Sequence, residues 1–215
     1  MTYNLNIPGW MTENDLRILY KLASCVPENG NILEVGSFLG RSTSALFSGK
    51  PPGAHLVTID KFELSTDYPI DIDQTYLKGS EQLLNEAQYI ASTTGSWLEA
   101  FRHCITPQIA DQITINAISS QEYRLVNSFD MVFLDASHVM NDLVDDIEKF
   151  VKPTTLLVGD DFEFRKPGIP MGICSVRKKT LWFNRTLIVP ENSKLWVMVP
   201  STGYWKQLFQ TNILV

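Results

Sequence analysis

The amino-acid sequence predicts an α/β fold in which helices cover both faces of a mainly parallel sheet. Short apolar runs rich in β-branched residues alternate along the chain with segments of helical periodicity, the order expected of βαβ units. Of these runs, "MVFL" is apolar at every position and "TLLV" at every position after its threonine, as expected for strands buried on both faces. With 215 residues, of which 44% are hydrophobic, the chain is expected to form a single domain over residues 1–215.

The first elements are a helix and a βαβ unit. Thr12 is a suitable N-cap for a helix over about residues 12–25, because leucines follow it at helical spacing. The strand "NILEVG", the helix "RSTSALFSG" and the strand "HLVTID" come next. Each strand ends in an acidic residue or a glycine, which places polar chemistry at the carboxyl ends of the strands, where parallel sheets bind their ligands.

The alternation resumes after residue 96 and completes a seven-stranded sheet. The further strands are "ITINAI", "FDMVFLDA", "TTLLVGDDF", "TLIVP" and "KLWVMVP", and the further helices are "WLEAFRHCI", "VMNDLVDDIEKFV" and "GICSVRKKTLWF". The last two strands are joined by "ENS" and are expected to form a C-terminal antiparallel hairpin. Residues 62–96 are too many for an ordinary link, so we interpret them as an insertion or lid over the site, with a helix at about 80–91.

Composition excludes several classes of function. Acidic residues outnumber basic ones by 24 to 18, whereas a nucleic-acid-binding protein needs a strong basic face. The N-terminus has no signal-peptide pattern, no apolar stretch approaches the about 18 residues of a membrane span, and the three cysteines form no CxxC pair. We expect a soluble, cytoplasmic protein without nucleic-acid or membrane partners. The apolar C-terminal segment is expected to dock on the sheet or to contact a second copy in a homo-oligomer.

A glycine turn follows the first strand. In "NILEVGSFLGRSTSALF" the apolar run ends at Glu34, Gly36 and Gly40 and leads into a helix, so the backbone can approach a ligand closely and the helix N-terminus favours a negative group. Its spacing lacks the GxGxxG of dinucleotide sites, while Asp60 ends the second strand, where an acid accepts both hydroxyls of a ribose. This pattern favours an adenosine-containing ligand. The alternative is a structural turn with an acidic strand end at the surface.

Three further carboxylates follow the later strands. Asp135 ends one predicted strand, and Asp160 and Asp161 end the next. If these strands are neighbours, three negative charges converge and require a cation. Oxygen ligands without cysteine or a histidine pair favour Mg²⁺, or another divalent cation such as Mn²⁺ or Ca²⁺, over zinc. The alternative is that two of the acids cap the next segment and the third faces solvent.

Four motifs together resemble a known family. "ILEVGSFLGRSTSALF", "VTID", "FDMVFLDASH" and "LLVGDDF" are similar to the motifs of class I S-adenosylmethionine-dependent methyltransferases. They resemble in particular the metal-dependent O-methyltransferase branch, which includes macrolide-sugar O-methyltransferases and the protein named cephalosporin hydroxylase. The resemblance covers roughly residues 10 to 200. It implies a Rossmann-like fold, S-adenosylmethionine as cofactor, a divalent metal and a small-molecule hydroxyl acceptor.

The resemblance also implies roles for individual residues. The cofactor-binding positions are Glu34 near the amino group, Gly36, Ser37 and Gly40 around the methionine part, Ser42 near the carboxylate, Asp60 on the ribose, and Ser119 and Ser120 beside the adenine. Relatives usually carry an acid in that last loop, and this chain has serines there. Asp135, Asp160 and Asp161 match the metal ligands. An Asp-x-x-His pair, Asp135 and His138, matches the catalytic residues of the macrolide-sugar enzymes, in which the aspartate is a metal ligand and the histidine is the general base.

The implied reaction is methyl transfer to an oxygen. A sulfonium methyl is already activated, so the protein must mainly align and deprotonate the acceptor hydroxyl. A vicinal diol on a sugar or natural product is the expected acceptor. Two alternatives stay open: a hydroxylase-like tailoring enzyme, for which His55, His103 and His138 do not obviously form the two-His, one-carboxylate set of iron oxygenases, and a binding protein that has lost catalysis.

Overall fold

A computed structural model describes residues 3–63, 74–137, 139–162, 169–170, 172–173 and 185–210, with backbone alone for 74–79. His138 lies outside the described residues. So do ten residues of the predicted insertion, 64–73, and nearly all of the predicted helix "GICSVRKKTLWF".

The strands follow one another as expected from the sequence. The helices with described bounds are α1 (Glu13–Ser24), α2 (Arg41–Gly49), α3 (Gln74–Thr94), α4 (Trp97–Ile105), α5 (Pro107–Ala110), α6 (Met140–Phe150) and α7 (Gly203–Phe209). Of these, α5 and α7 are helices that the sequence analysis did not predict. The strands are β1 (Asn31–Val35), β2 (His55–Asp60), β3 (Thr114–Ala117), β4 (Met131–Leu134), β5 (Leu156–Gly159), β6 (Thr186–Ile188) and β7 (Trp196–Val199). The helix predicted within the insertion is longer than expected, since α3 begins at Gln74.

All seven strands form one sheet in the order β3-β2-β1-β4-β5-β7-β6. The first five strands are parallel, and β7 runs antiparallel to both β5 and β6. The predicted seven-stranded, mainly parallel sheet with a C-terminal antiparallel hairpin is therefore confirmed. The strand order reverses between β1 and β4, which opens a cleft at their carboxyl ends.

Helices pack on both faces of the sheet, and the alternation of the strands explains how. In β4, Met131 and Phe133 belong to the apolar cluster that includes residues of α1, α2 and α7. The intervening Val132 and Leu134 belong to the cluster that includes residues of α6. Because successive strand side chains point to opposite faces, a strand covered on both sides has to be apolar at every position, as "MVFL" is.

The two ends of the described chain also pack on this core. Thr12 caps α1 as predicted: its hydroxyl accepts the N–H of Asp15 at 3.2 Å, and its own N–H donates to the Asp15 carboxylate at 2.9 Å. In α7, Trp205 is buried and donates its Nε1–H to the carbonyl of Asp130 at 3.0 Å. The described part of the apolar C-terminal segment thus docks on the sheet. In the part of the chain that the structure describes, no helix combines the length and apolarity needed to cross a membrane.

Candidate active site

The glycine turn after β1 fits tightly against the end of β4. Gly36 has φ +89°, and a Cβ added to it would lie 2.3 Å from the carbonyl oxygen of Asp135. Gly40 has φ +92°, and its added Cβ would lie 2.1 Å from Cγ2 of Ile105. Both positions require glycine, because the left-handed backbone and the close contacts each disfavour a side chain. The turn and Asp135 therefore form one continuous surface.

Asp60, at the end of β2, accepts backbone hydrogen bonds from this turn. Its Oδ2 accepts the N–H of Ser37 at 2.7 Å and that of Phe38 at 2.9 Å. Its Oδ1 accepts the N–H of Phe62 at 2.7 Å. A carboxylate oxygen has two lone pairs. Among the described residues only Phe62 bonds to Oδ1, so this oxygen can accept one further hydrogen bond, as from a ligand hydroxyl.

The N-terminus of α2 presents backbone donors next to the same turn. The first helical hydrogen bond runs from the N–H of Ser44 to the carbonyl of Gly40, at 2.9 Å. The amides that precede Ser44 in the helix have no intrahelical acceptor, which is general for the first turn of a helix. Together with the helix dipole they favour a negative group such as a carboxylate.

Glu34 lies beneath the turn and is fully buried. Its carboxylate accepts the hydroxyls of Ser42 at 2.6 Å, Thr43 at 2.7 Å and Thr58 at 3.0 Å. The Thr58 hydroxyl also pairs with that of Ser37. Burial raises the pKa of Glu34 to about 7, against the opposing effect of the hydroxyls. The sequence analysis did not identify Thr43 and Thr58 as partners of Glu34. The side chains of Glu34 and Ser42 bond each other in this structure, so their contacts with a ligand stay predictions.

Ser119 and Ser120, in the loop after β3, are held from within the protein. Ser119 donates its N–H and hydroxyl to the carboxylate of Glu122 at 3.0 and 2.7 Å. Lys149 of α6 donates from Nζ to the carbonyl of Ser120 at 2.6 Å, and the Ser120 side chain bonds that of Asp146. Glu122 is an acid of this loop that sequence reasoning missed, although the Ser-x-x-Glu spacing of a capping box was visible. A contact of either serine with an adenine stays a prediction.

Three carboxylates meet where β4 and β5 end. Leu134 and Gly159 are paired neighbours in the sheet, so the residues after them, Asp135 and Asp160, emerge side by side. One oxygen from each of Asp135, Asp160 and Asp161 lies within 4.8 Å of the others. Asp161 has φ +63°, a conformation that aspartate tolerates, and this turn allows two consecutive side chains to reach one point. The predicted adjacency of the two strands is thus confirmed.

The chemistry of this acidic cluster fits a divalent cation. Asp160 and Asp161 are buried, and within the described residues Asp160 Oδ1 is buried without a hydrogen-bond partner. Burial first, and then the charge of Asp161, raises the pKa of Asp160. Lys194 Nζ, 3.9 Å from Asp161 Oδ1, supplies one positive charge. An orphaned buried oxygen among three acids is the donor arrangement that a hard cation satisfies.

The two histidines that the structure describes, His55 and His103, do not lie at the acidic cluster. His55 is exposed at the start of β2, the end of the strand that is remote from the acidic cluster, and His103 is exposed on α4. His138 lies outside the described residues, so its role as base stays a prediction from its spacing to Asp135.

The fold is similar to that of solved methyltransferase structures. Solved structures similar to the chain include an O-methyltransferase from Bacillus cereus bound to S-adenosylhomocysteine, at 18% identity and TM-score 0.54, covering 90% of this chain and 83% of that one. Another is the O-methyltransferase TomG of Streptomyces achromogenes, involved in tomaymycin synthesis and bound to S-adenosylmethionine, at 15% identity and TM-score 0.52, covering 90% and 82%.

A third similar structure is CalS11, a TDP-rhamnose 3′-O-methyltransferase of calicheamicin biosynthesis, at 13% identity and TM-score 0.51, covering 90% of this chain and 83% of that one. No protein-family model matches the sequence, and comparison with curated proteins finds no match. The similar structures show that the chain has the class I methyltransferase fold over nine-tenths of its length.

Proposed function

We propose that this protein is an S-adenosylmethionine-dependent O-methyltransferase that requires a divalent cation and acts on a hydroxyl of a small molecule. The observation that carries the proposal is the direct contact between the glycine turn and the acidic cluster. Gly36 packs against the backbone of Asp135, so a donor bound along the turn lies next to an acceptor bound at the three carboxylates. Methyl transfer requires this adjacency of sulfonium and oxygen.

On the donor side, the chain offers groups for the ribose and for the carboxylate of the molecule. Among the described residues, the hydrogen bonds to Asp60 leave one acceptor position on Oδ1 for a ribose hydroxyl, and the first amides of α2 suit the carboxylate of the methionine part. Gly36 and Gly40 let the turn pack against Asp135 and Ile105, where a side chain would clash. The similar structures support this assignment, since two of them are bound to S-adenosylmethionine or S-adenosylhomocysteine.

On the acceptor side, Asp135, Asp160 and Asp161 would hold the cation. When bound, a divalent cation supplies Lewis acidity that lowers the pKa of an acceptor hydroxyl. His138, three residues after Asp135, is the proposed base that takes the hydroxyl proton. The methyl group then passes from the sulfonium sulfur to the oxygen, which leaves a methyl ether and S-adenosylhomocysteine.

A vicinal diol is the proposed acceptor, as in a sugar or a catechol. Three carboxylates provide fewer ligands than the six that Mg²⁺ takes, so a second, neighbouring hydroxyl has a place beside the reacting one. That one of the similar structures is a sugar O-methyltransferase supports this choice.

The experiment is a calorimetric titration of EDTA-treated protein with S-adenosylhomocysteine, with and without Mg²⁺, followed by a turnover assay on diol acceptors. Asp161→Asn keeps the size of the side chain and tolerates the left-handed backbone, and is expected to bind the nucleotide yet lose Mg²⁺-dependent turnover by about a thousandfold. Asp111→Asn, an exposed acid before β3, is the matched control and should resemble the wild type. Absence of nucleotide binding to the wild type in both conditions refutes the proposal.

A further inference from the structure

The N-terminal segment of residues 3–11, here called the N-terminal strap, lies against the glycine turn. Ile7 is 2% exposed and belongs to the apolar cluster of Leu39, which lies in the turn, and Phe62, which follows Asp60. Gly9 lies so near the Arg41 side chain that an added Cβ would be 2.8 Å from its Cδ. The strap therefore covers the loops that form the proposed donor site.

Arg41, the first residue of α2, fastens the strap. Its Nη1 donates to the carbonyls of Leu5 at 2.6 Å and Ile7 at 2.7 Å, and its Nε donates to that of Met11 at 2.9 Å. A cation at a helix N-terminus is opposed by the helix dipole, so the position is unfavourable for arginine unless its side chain bonds elsewhere. A guanidinium, with five donors in a fixed fork, suits three carbonyls spread along one segment.

An aromatic row connects the strap to Asp60. The ring of Trp10 lies 5.1 Å from that of Phe38, which lies 5.9 Å from that of Trp97. Phe38 has φ +48° and donates its N–H to Asp60. A left-handed backbone is costly for a bulky residue, and the contacts with the two tryptophans offset this cost. Removing Trp10 from its place would thus destabilise the turn conformation that orients Asp60.

The opposite side of the strap is less completely packed. A cavity of about 280 Å³ lies between strap residues 5–9, Arg41 and the α3 residues Gln82, Leu83 and Glu86. Trp10 donates its Nε1–H to Ser80 of α3 at 3.1 Å, and the guanidinium adds three hydrogen bonds on the other side of this space.

We propose that the strap is the outer wall of the methyl-donor site and that Arg41 is a positioning residue that keeps it there. This rests on the proposed function. With the strap in place, Trp10 supports Phe38, the N–H groups of the turn hold Asp60, and the donor meets a formed site. With the strap released, the donor must first order these groups and binds more weakly.

The test compares S-adenosylhomocysteine binding by calorimetry with hydrogen–deuterium exchange for four proteins. Arg41→Met should weaken binding by about tenfold and speed exchange in residues 4–11 but not in β4. Arg41→Lys keeps the charge without the fork and should recover part of the affinity. Arg102→Met, which removes an exposed ion pair with Glu99, is the control and should bind like the wild type.

Three results would overturn the inference while leaving the proposed function intact: wild-type affinity in Arg41→Met, a loosened strap without loss of affinity, or full recovery in Arg41→Lys, which would assign the effect to charge. Failure of the wild type to bind would instead remove the proposed function. Trp10→Phe gives a second readout, because the change in tryptophan emission on binding should become smaller by the part that Trp10 contributes; an unchanged signal would place the strap away from the donor. If Arg41→Met speeds exchange throughout the protein, the fluorescence of Trp10→Phe is the deciding measurement.

Discussion

Replacing the buried Glu34 by glutamine should change how stability depends on pH. Burial raises the pKa of Glu34 from 4.5 to about 7 in the folded protein, so the folded state favours the protonated form more than the unfolded state does. Its contribution is complete below pH 4.5 and is lost as the pH rises through about 7. The rise in pKa corresponds to about 3 kcal/mol of folding free energy across that interval. Glutamine does not ionise and keeps an oxygen for the hydroxyls of Ser42, Thr43 and Thr58.

The assay is urea unfolding of wild type and Glu34→Gln between pH 4.5 and 8 in EDTA. The free energy of unfolding of the variant, relative to wild type, should rise by about 3 kcal/mol from the acid to the alkaline end. Asp146 and Asp160 also have raised pKa values, but they are present in both proteins and cancel in the difference. Glu122→Gln is the control of opposite sign, because hydrogen bonds from Ser119 lower the pKa of Glu122. A pH-independent difference for Glu34→Gln would refute the reasoning.

Three further results are expected. Gly36→Ala should lower the free energy of unfolding by about 1–3 kcal/mol or more and abolish nucleotide binding, because its Cβ would meet the Asp135 carbonyl; urea unfolding and calorimetry check this. Arg185→Met should cost about 3 kcal/mol in the same unfolding assay, because the buried guanidinium donates to the carbonyls of Lys152, Thr155 and Met198. Millimolar Mg²⁺ should raise the Tm of wild type but not of Asp161→Asn, as measured by calorimetric scanning; an equal rise would place the cation elsewhere.

Most of the fold could be predicted because local signals agreed with its global requirements. The strand Met131–Leu134 is apolar throughout, since both of its faces are covered. Thr12, with Asp15 three residues later, has the sequence pattern of a capping box and so indicates the start of α1. The helix predicted at about 80–91 starts later than α3, which begins at Gln74. Helix ends without a cap carry little sequence signal.

The site was partly predictable for a different reason. Asp135 and Asp160 could be brought together once the two strands were assumed to be neighbours, since parallel strands end at one edge. The surroundings of Glu34 could not be foreseen, because Thr58 comes from another strand and whether a strand-end acid faces ligand or interior depends on side-chain packing. The hydrogen bonds from Arg41 to the strap could not be predicted either, because their acceptors are backbone carbonyls, which every residue has.

The reversed direction of β7 has a consequence for how such a protein can change its acceptor. Because Trp196 at the start of β7 pairs with Gly159 at the end of β5, the connection at residues 189–195 lies beside Asp160 and Asp161, and the backbone carbonyl of Lys194 accepts the N–H of Phe162 at 2.9 Å. This connection is a hairpin loop with no crossover helix to accommodate. Insertions or deletions there can remodel the wall next to the carboxylates while the proposed donor half of the cleft keeps its shape, so in the proposed enzyme acceptor choice and donor binding are free to evolve separately.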